Sequence, residues 1–387
     1  MDYYKRAQEL KDETIAHRRF FHAHAEVGLN TSKAVAYITE KLREYGYGPE
    51  SCGHGVTASI GQVGKCILLR ADMDALPMRE ESGEVFACPT GREAHTCGHD
   101  LHAAMLLSCA KMLKETENEL TGRVKFMLQP AEETFEGAKD MIAHGILNGV
   151  DAALAFHVTS GHEGTGMFMY NAASALMASV DGFRITIKGK GCHGAYPHCG
   201  IDPVNIGVQV HLALQSLIAR EVDPEKMCVL TIGKFQAGSA PNIIPESAVL
   251  EGTIRTKDTI CRKHLTKRMK EVAEGVAASY GGSAEIQMLS EVPPLVCDPH
   301  LTEQMAGYLT AIPGMKGLRG ISSSASEDFA SIAEKVPSAF IYLSAGFTDE
   351  RGNYPAHNPK VRFNEDVCPV GSAAYAICAA NWLKDNL

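Results

Sequence analysis

The sequence predicts an α/β protein: a mostly parallel sheet with helices on both faces, interrupted by a smaller α+β unit. Three observations lead there. Short apolar runs alternate with helical stretches over residues 1–178, the pattern of strands joined by helical crossovers. Residues 179–291 read differently, as several strands with two helices among them, which suits an inserted unit. Beyond Pro293-Pro294 the first pattern returns, so residues 292–387 complete the larger domain.

Each element has its own warrant. Before Gly46, the residues Ala34, Ile38 and Leu42 recur at helical spacing, and Tyr-Gly-Tyr-Gly-Pro follows as a stop. KCILLRADMD, RVKFMLQP and DAALAFHV are apolar runs of strand length, and DLHAAMLLSCAKMLKE is a helical stretch between the first two. In the insert, GFRITIKGKG, MCVLTIGKFQ, SAVLEGTIRT and SAEIQMLSEV read as strands. PVNIGVQVHLALQSLIAR separates the first of these from the second, and RKHLTKRMKEVAEGVAASYG the third from the last. AFIYLSAG then adds a strand and GSAAYAICAANWLKDN a closing helix.

Composition narrows the function classes. The chain has 387 residues, 45% apolar and 21% charged, the proportions of an ordinary globular protein large enough for two domains. A net charge of −9 argues against a phosphate-backbone binder, so nucleic acid is not an expected partner. The N-terminal run MDYYKRAQELKDETIAHRRFFHAHAE is charged throughout, unlike a signal peptide or a membrane anchor, and no later stretch reaches the length of a membrane span. No repeat of solenoid period occurs. The 12 cysteines are irregularly spaced, which predicts reduced thiols in a cytoplasmic protein. Cys66, Cys109 and Cys378 sit among apolar neighbours and read as core residues.

Chemistry-bearing residues gather where the strands stop, which in open α/β sheets is where ligands bind. Asp72 and Asp74 follow ILLR, Glu132 and Glu133 follow VKFML, and His157 follows ALAF. HTCGHDLH places Cys97 and His99 around a glycine just before a helix; on a turn or extended segment both side chains can face one ion, whereas inside a regular helix they would diverge. The adjacent Glu132 and Glu133 point in different directions, so one can bind metal while the other takes a proton from a polarised water. Asp72 and Asp74 share a face of an extended chain, and one of them suits the place behind a ligating histidine. His95 and His102 flank the motif as structural or supporting residues.

RADMDALPM, HTCGHDLHAAMLL, QPAEE, FHV, GCHGAYPH, PNIIP, EGTIR, SEDFA and HNPKVRFNE, in this order, resemble the aminoacylase/carboxypeptidase clan of metallopeptidases. The group most similar holds hippurate hydrolases, auxin-conjugate hydrolases and N-acetyl-diaminopimelate deacetylases. The resemblance runs from about Arg18 to Asn364 and implies two divalent metal ions held by Cys97, His99, Glu133, His157 and His357, with the Cys97 thiolate bridging. It implies Glu132 as general base and Asp74 as its carboxylate partner. The insert becomes a lid and a homodimer contact. His193 resembles the residue lent to a partner's site for the oxyanion, and Asn242 and Arg255 resemble positions that hold the substrate carboxylate.

The resulting expectation is an amidohydrolase of N-acyl amino acids working through metal-activated water. Zinc, manganese, cobalt and nickel all suit a Cys/His/Glu donor set. A dipeptidase or carboxypeptidase of the same clan, an inactive metal-binding homologue and a redox role for Cys97 are the rival expectations. Thr134-Phe135-Glu136 after PAEE, Cys192 and Gly194 around His193, and Ala173-Ser174-Ala175 ahead of LMAS depart from the usual pattern and bear on the substrate, with Phe135 placed to reshape an acyl pocket.

Overall fold

In the computed structural model, which describes residues 1–386, the apolar runs named above form the elements their patterns predict. The chain divides into a larger unit (residues 1–176, 296–322 and 328–387) and a smaller one (residues 177–295 and 323–327).

The larger unit begins with helices α1 (Tyr3–Glu9), α2 (Lys11–Ala23) and α3 (Ser32–Glu44). Strands β1 (Glu50–Cys52), β2 (Gly55–Gly61) and β3 (Cys66–Asp72) follow, then α4 (His99–Glu115), β4 (Arg123–Gln129), α5 (Gly137–Ala143), β5 (Ala152–Thr159) and β6 (Thr165–Tyr170). The smaller unit runs β7 (Val180–Lys188), β8 (Cys192–His193), α6 (Pro203–Glu221), β9 (Cys228–Ala237), β10 (Ile243–Ile244), β11 (Ser247–Thr256), α7 (Thr259–Ser279) and β12 (Ser283–Val292). The chain returns to the larger unit with α8 (Pro299–Leu309), β13 (Gly317–Gly320), α9 (Ala330–Ala333), β14 (Ser338–Ala345) and α10 (Cys368–Asp385).

The large sheet has the order β1-β2-β4-β3-β5-β14-β6-β13. Its centre, β4-β3-β5-β14, is parallel, while the β1-β2-β4 side and the β14-β6 pair are antiparallel. Two sides of each central strand are covered, and alternate residues serve them. Ile67, Leu69 and Ala71 of β3 join Val124, Phe126 and Leu128 of β4 and Leu154, Phe156 and Val158 of β5 in one core, packed against α4, α8 and α10. The residues between them, including Arg70, Asp72 and Gln129, face the other side and are fully buried there. That side is covered by the α5 and α9 region: the Ala138 N–H and the Asp328 side chain both reach it.

The smaller unit is an antiparallel sheet of order β12-β7-β11-β9. Its core takes Phe183, Ile185 and Ile187 of β7, alternating along the strand, and Leu265, Met269, Ala273 and Ala277 of α7, one per helical turn. A short pair, β8 with β10, stands apart from this sheet and sets His193 opposite Ile243.

Helix α2 is fixed to α4 by buried charge. Arg18 Nε donates to Asp100 Oδ2 at 3.0 Å, and His22 donates from Nδ1 to the same oxygen at 2.8 Å and from Nε2 to Glu80 at 3.0 Å. Both ring nitrogens donate, so the imidazole is charged. Burial works against that charge, but Asp100 and Glu80 raise the His22 pKa to about 9. A raised folded-state pKa stabilises the fold fully below the unfolded value of 6.5, and the contribution is lost as pH rises through about 9. We expect the stability difference between wild type and His22→Asn, measured by urea unfolding, to be largest at mildly acidic pH and to shrink across that window; a difference that grows with pH would contradict the charged-ring assignment.

Candidate metal centre

Three neighbouring parallel strands, β4, β3 and β5, end on the same edge of the sheet and deliver the first donors. Beyond β3 the chain places Asp74, beyond β4 it places Glu132 and Glu133, and near the end of β5 it places His157. His99 opens α4, and Cys97 lies on the turn before it. Gly98 makes that turn: its φ of +96° is left-handed, and a Cβ there would meet Val158 Cγ2 at 2.4 Å. His357 arrives from the far end of the sequence, its backbone N–H donating to Thr96 O at 2.9 Å.

These side chains converge. Cys97 Sγ is 3.5 Å from His157 Nε2 and 3.3 Å from His357 Nε2. Glu133 Oε1 is 3.3 Å from His357 Nε2 and 4.0 Å from His99 Nε2, and Glu132 Oε2 is also 4.0 Å from His99 Nε2. Among the described residues five donor groups lie close enough to hold an ion, and two of them, Cys97/His99/His157 and Cys97/Glu133/His357, have the thiol in common; the others are Asp72/His99/His102, His99/Glu132/Glu133 and Glu132/Glu327/Asp328.

Hydrogen bonds decide which ring nitrogens are free to ligate. His99 Nδ1 donates to the Asp74 carbonyl at 3.0 Å and His157 Nδ1 to the Val158 carbonyl at 2.7 Å. A carbonyl only accepts, so each Nδ1 carries a proton and each Nε2 is the atom left to face an ion. His99 Nε2 is buried without a hydrogen-bond partner, the mark of a donor atom meant for something else. His102 is spoken for on both sides: its Nδ1 donates to Asp72 Oδ1, and its Nε2 accepts from the Val158 N–H at 2.8 Å. It lies outside the donor set.

The electrostatics favour a cation. Burial opposes protonation of His99, yet Asp72 and the Cys97 sulfur raise its pKa well above the ordinary range. Burial and the nearby His102 keep His157 neutral, well below its usual value. Burial pushes the Cys97 thiol up to about 12, so only a positive charge close by would make it a thiolate. Burial would also raise Glu133, but His357 and His99 hold it below the ordinary carboxylate value. One soft sulfur, three imidazoles and a carboxylate are the donor chemistry of a first-row divalent metal.

Behind the donors stands a support that the sequence did not reveal. Asp74 accepts from the backbone N–H of Glu132 on Oδ1 and of Glu133 on Oδ2, each at 3.1 Å. It therefore acts on the glutamates through their amides. Arg70 donates from Nη1 to Asp72 at 2.7 Å, from Nη2 to Asp328 at 3.0 Å and from Nε to Gln129 at 3.0 Å. Burial would raise the Asp72 carboxyl, but Arg70, His99 and His102 hold it well below the usual carboxylate range. The Asp328 backbone N–H points at Glu132 Oε1 from 3.4 Å. SEDFA contributes Asp328, yet nothing in its spacing ties it to Arg70. The sequence expects one of Asp72 and Asp74 behind a ligating histidine: Asp72 accepts from His102, and Asp74 meets His99 through its carbonyl.

In the smaller unit, His193 is exposed on β8, and its Nδ1 accepts from the Ala195 N–H at 3.1 Å. Asn242 is its close neighbour through the Gly194 N–H, which donates to Asn242 O at 2.8 Å. Arg255, near the end of β11, donates from Nη1 to Ser326 Oγ at 2.9 Å.

Fold and donor set together define a hydrolase of the metal-dependent class. Residues 68–381 match Peptidase family M20/M25/M40, and the chain belongs to this family and is an amidohydrolase enzyme. It is 34% identical to thermostable carboxypeptidase 1 of Saccharolobus solfataricus, over 97% of this chain and 96% of that one. Identity to an N-acetyl-L-cysteine deacetylase of Bacillus subtilis is 35%, over 95% of this chain and 86% of the relative. A solved Bacillus subtilis structure, described as a dinuclear metal binding peptidase of the same family, superposes with a TM-score of 0.82 at 31% identity, covering 98% of this chain and 100% of that one.

Replacing Asp74 by Asn turns one acceptor into a donor facing a backbone N–H. We expect kcat to fall about 100-fold from displaced glutamates and unfolding free energy to fall by about 1–3 kcal/mol from the unpaired amide, read by turnover assay and urea titration. Unchanged kcat would mean that the glutamates are held in place by something else.

Proposed function

We propose that the protein hydrolyses the amide bond of N-acyl amino acids, and that Cys97, His99, Glu133, His157 and His357 would hold two divalent ions of zinc, manganese, cobalt or nickel. The observation that carries this is the pair of overlapping donor groups with Cys97 in common and Glu132 beside them. Bound cations would lower the pKa of a water and stabilise charge on the carbonyl oxygen. Glu132 takes the proton of the attacking water on a side-chain oxygen and passes it to the nitrogen of the leaving amine. Its burial excludes bulk water from that transfer, and the Asp328 N–H steadies its other oxygen. His193 serves as an oxyanion donor, and Asn242 and Arg255 bind the substrate carboxylate as amide donor and guanidinium.

The likeness to a deacetylase of an N-acetylated amino acid supports this substrate class. Likeness to a carboxypeptidase favours a second reading, cleavage of short peptides at the same centre. A metal-loaded preparation assayed on acetyl-, benzoyl- and indole-acyl amino acids beside dipeptides separates them: turnover of the N-acyl compounds is expected, and turnover of peptides alone would overturn the substrate assignment. In the same assay Glu132→Gln should lose at least about 1000-fold in kcat while retaining its metal by elemental analysis.

We further propose a homodimer formed through the smaller unit. β9 is an edge strand of its sheet, and α6 exposes Val204, Val208 and Leu212 at four-residue intervals, an apolar stripe that suits a second copy. Light scattering should give twice the chain mass; a monomer at assay concentration would remove this proposal. A reducing, cytoplasmic setting fits the 12 free cysteines.

A further inference from the structure

The smaller unit holds a pair of reactive side chains that amide hydrolysis does not use. Cys228 begins β9 and Cys261 lies in the first turn of α7, and their sulfurs are 3.5 Å apart. Between them the chain runs along β9, through β10, back along β11 and into α7, so the sulfurs meet where this excursion begins and ends.

The approach is held by the backbone around it. Cys228 pairs with Thr256 across the β9/β11 ladder. Thr256 Oγ1 donates to the Met227 carbonyl at 2.9 Å. Lys226 Nζ donates to Asp258 Oδ2 at 2.6 Å, and Asp258 Oδ1 accepts from the Cys261 N–H at 2.7 Å, capping α7. Ladder, hydroxyl and cap fix both cysteines from neighbouring positions, so their sulfurs stay close. Cys228 is partly exposed and Cys261 is buried, which sets an order of access.

We propose that Cys228 and Cys261 are a reversible thiol–disulfide site that reacts with small-molecule disulfides of the glutathione type and clips the edge strand to the helix. The Cys228 thiolate attacks one sulfur of the external disulfide, expelling one small thiolate and leaving a mixed disulfide. The Cys261 thiolate then attacks the Cys228 sulfur, forming the internal S–S bond and expelling the second small thiolate. Two protein thiols are oxidised, one external disulfide is reduced, and the two protons released go to the departing thiolates. Burial pushes the Cys228 thiol up to about 12, with the Cys261 sulfur adding to it, so near neutrality Cys228 is held as the protonated thiol and exchanges faster as pH rises. The closed loop contains Asn242 and Arg255, and the cross-link restricts the unfolded chain more than the folded one.

The test uses the full, metal-loaded chain incubated with glutathione disulfide at mildly alkaline pH, alkylated and mapped by peptide mass spectrometry. A linked peptide joining Cys228 to Cys261, lost on adding dithiothreitol, is the expected result, with a thermal midpoint about 5 °C above that of the reduced protein. Cys228→Ser and Cys261→Ser should each abolish the linked peptide. Exposed Cys199 reports that oxidant was sufficient. Recovery of Cys228 and Cys261 as alkylated thiols, or as two separate mixed disulfides, while Cys199 is modified would overturn the proposal. The covalent map is read without any turnover assay, so this result stands apart from the substrate assignment.

Discussion

Two backbone N–H groups, those of Glu132 and Glu133, find their acceptors on the two oxygens of one carboxylate, Asp74. That pairing decides where both glutamate side chains go. Residues at the end of a strand have no ladder partner to fix them, and a buried N–H without an acceptor costs about 1–3 kcal/mol. Asp74 removes that cost for two consecutive amides at once. It also locks the loop in the one arrangement that sends Glu133 towards His357 and Glu132 towards His99. The same residue, through its carbonyl, fixes the His99 tautomer.

Strain is concentrated around this arrangement. Among the described residues, the non-glycine ones with left-handed backbone are Ala131, Phe135 and His357: one just before the glutamate pair, one soon after it, and one whose ring lies beside Cys97 and Glu133. Such conformations cost of order 1–3 kcal/mol each and persist only where their surroundings over-determine them. Here the surroundings are hydrogen bonds. Phe135 N–H donates to Glu132 O at 2.8 Å, Glu136 and Gly137 both donate to Ala131 O at 3.1 Å, and His357 is tethered to Thr96. The donors are thus positioned by the protein, and little reorganisation remains for a cation to impose.

How much of this was legible in the sequence follows from the range of each contact. Strands β3, β4 and β5 declare themselves by local apolar runs, and the rule that ligands sit beyond strand ends puts Asp74, Glu132, Glu133 and His157 on one edge. Cys97 and His99 are marked by a glycine between them, and the structure adds a left-handed φ at Gly98 that the motif did not specify. Arg70 was invisible because it sits inside an apolar run and its partner Asp328 is 258 positions away. The separate task of His102 was equally hidden, since a tautomer depends on the Val158 amide and the Asp72 carboxylate rather than on spacing. The antiparallel turn of β14 against β6 could not be read either, because strand direction is set by the connection and not by side-chain pattern.

β14 sits between β5 and β6 in the sheet, although β5 and β6 follow one another in sequence and β14 is made some 170 residues later. On a ribosome, β5 and β6 therefore emerge together and must leave a slot about one strand wide, roughly 10 Å across counting both spacings. They cannot zip to each other without closing the place that β14 must take. The strand made last among the central ones fills the middle, and until it does, two unpaired edges stand open. Synthesis of the smaller unit occupies that interval. The order of manufacture thus imposes a waiting period on the nascent chain, one ended by late, long-range closure of the kind that slows folding and exposes intermediates to aggregation.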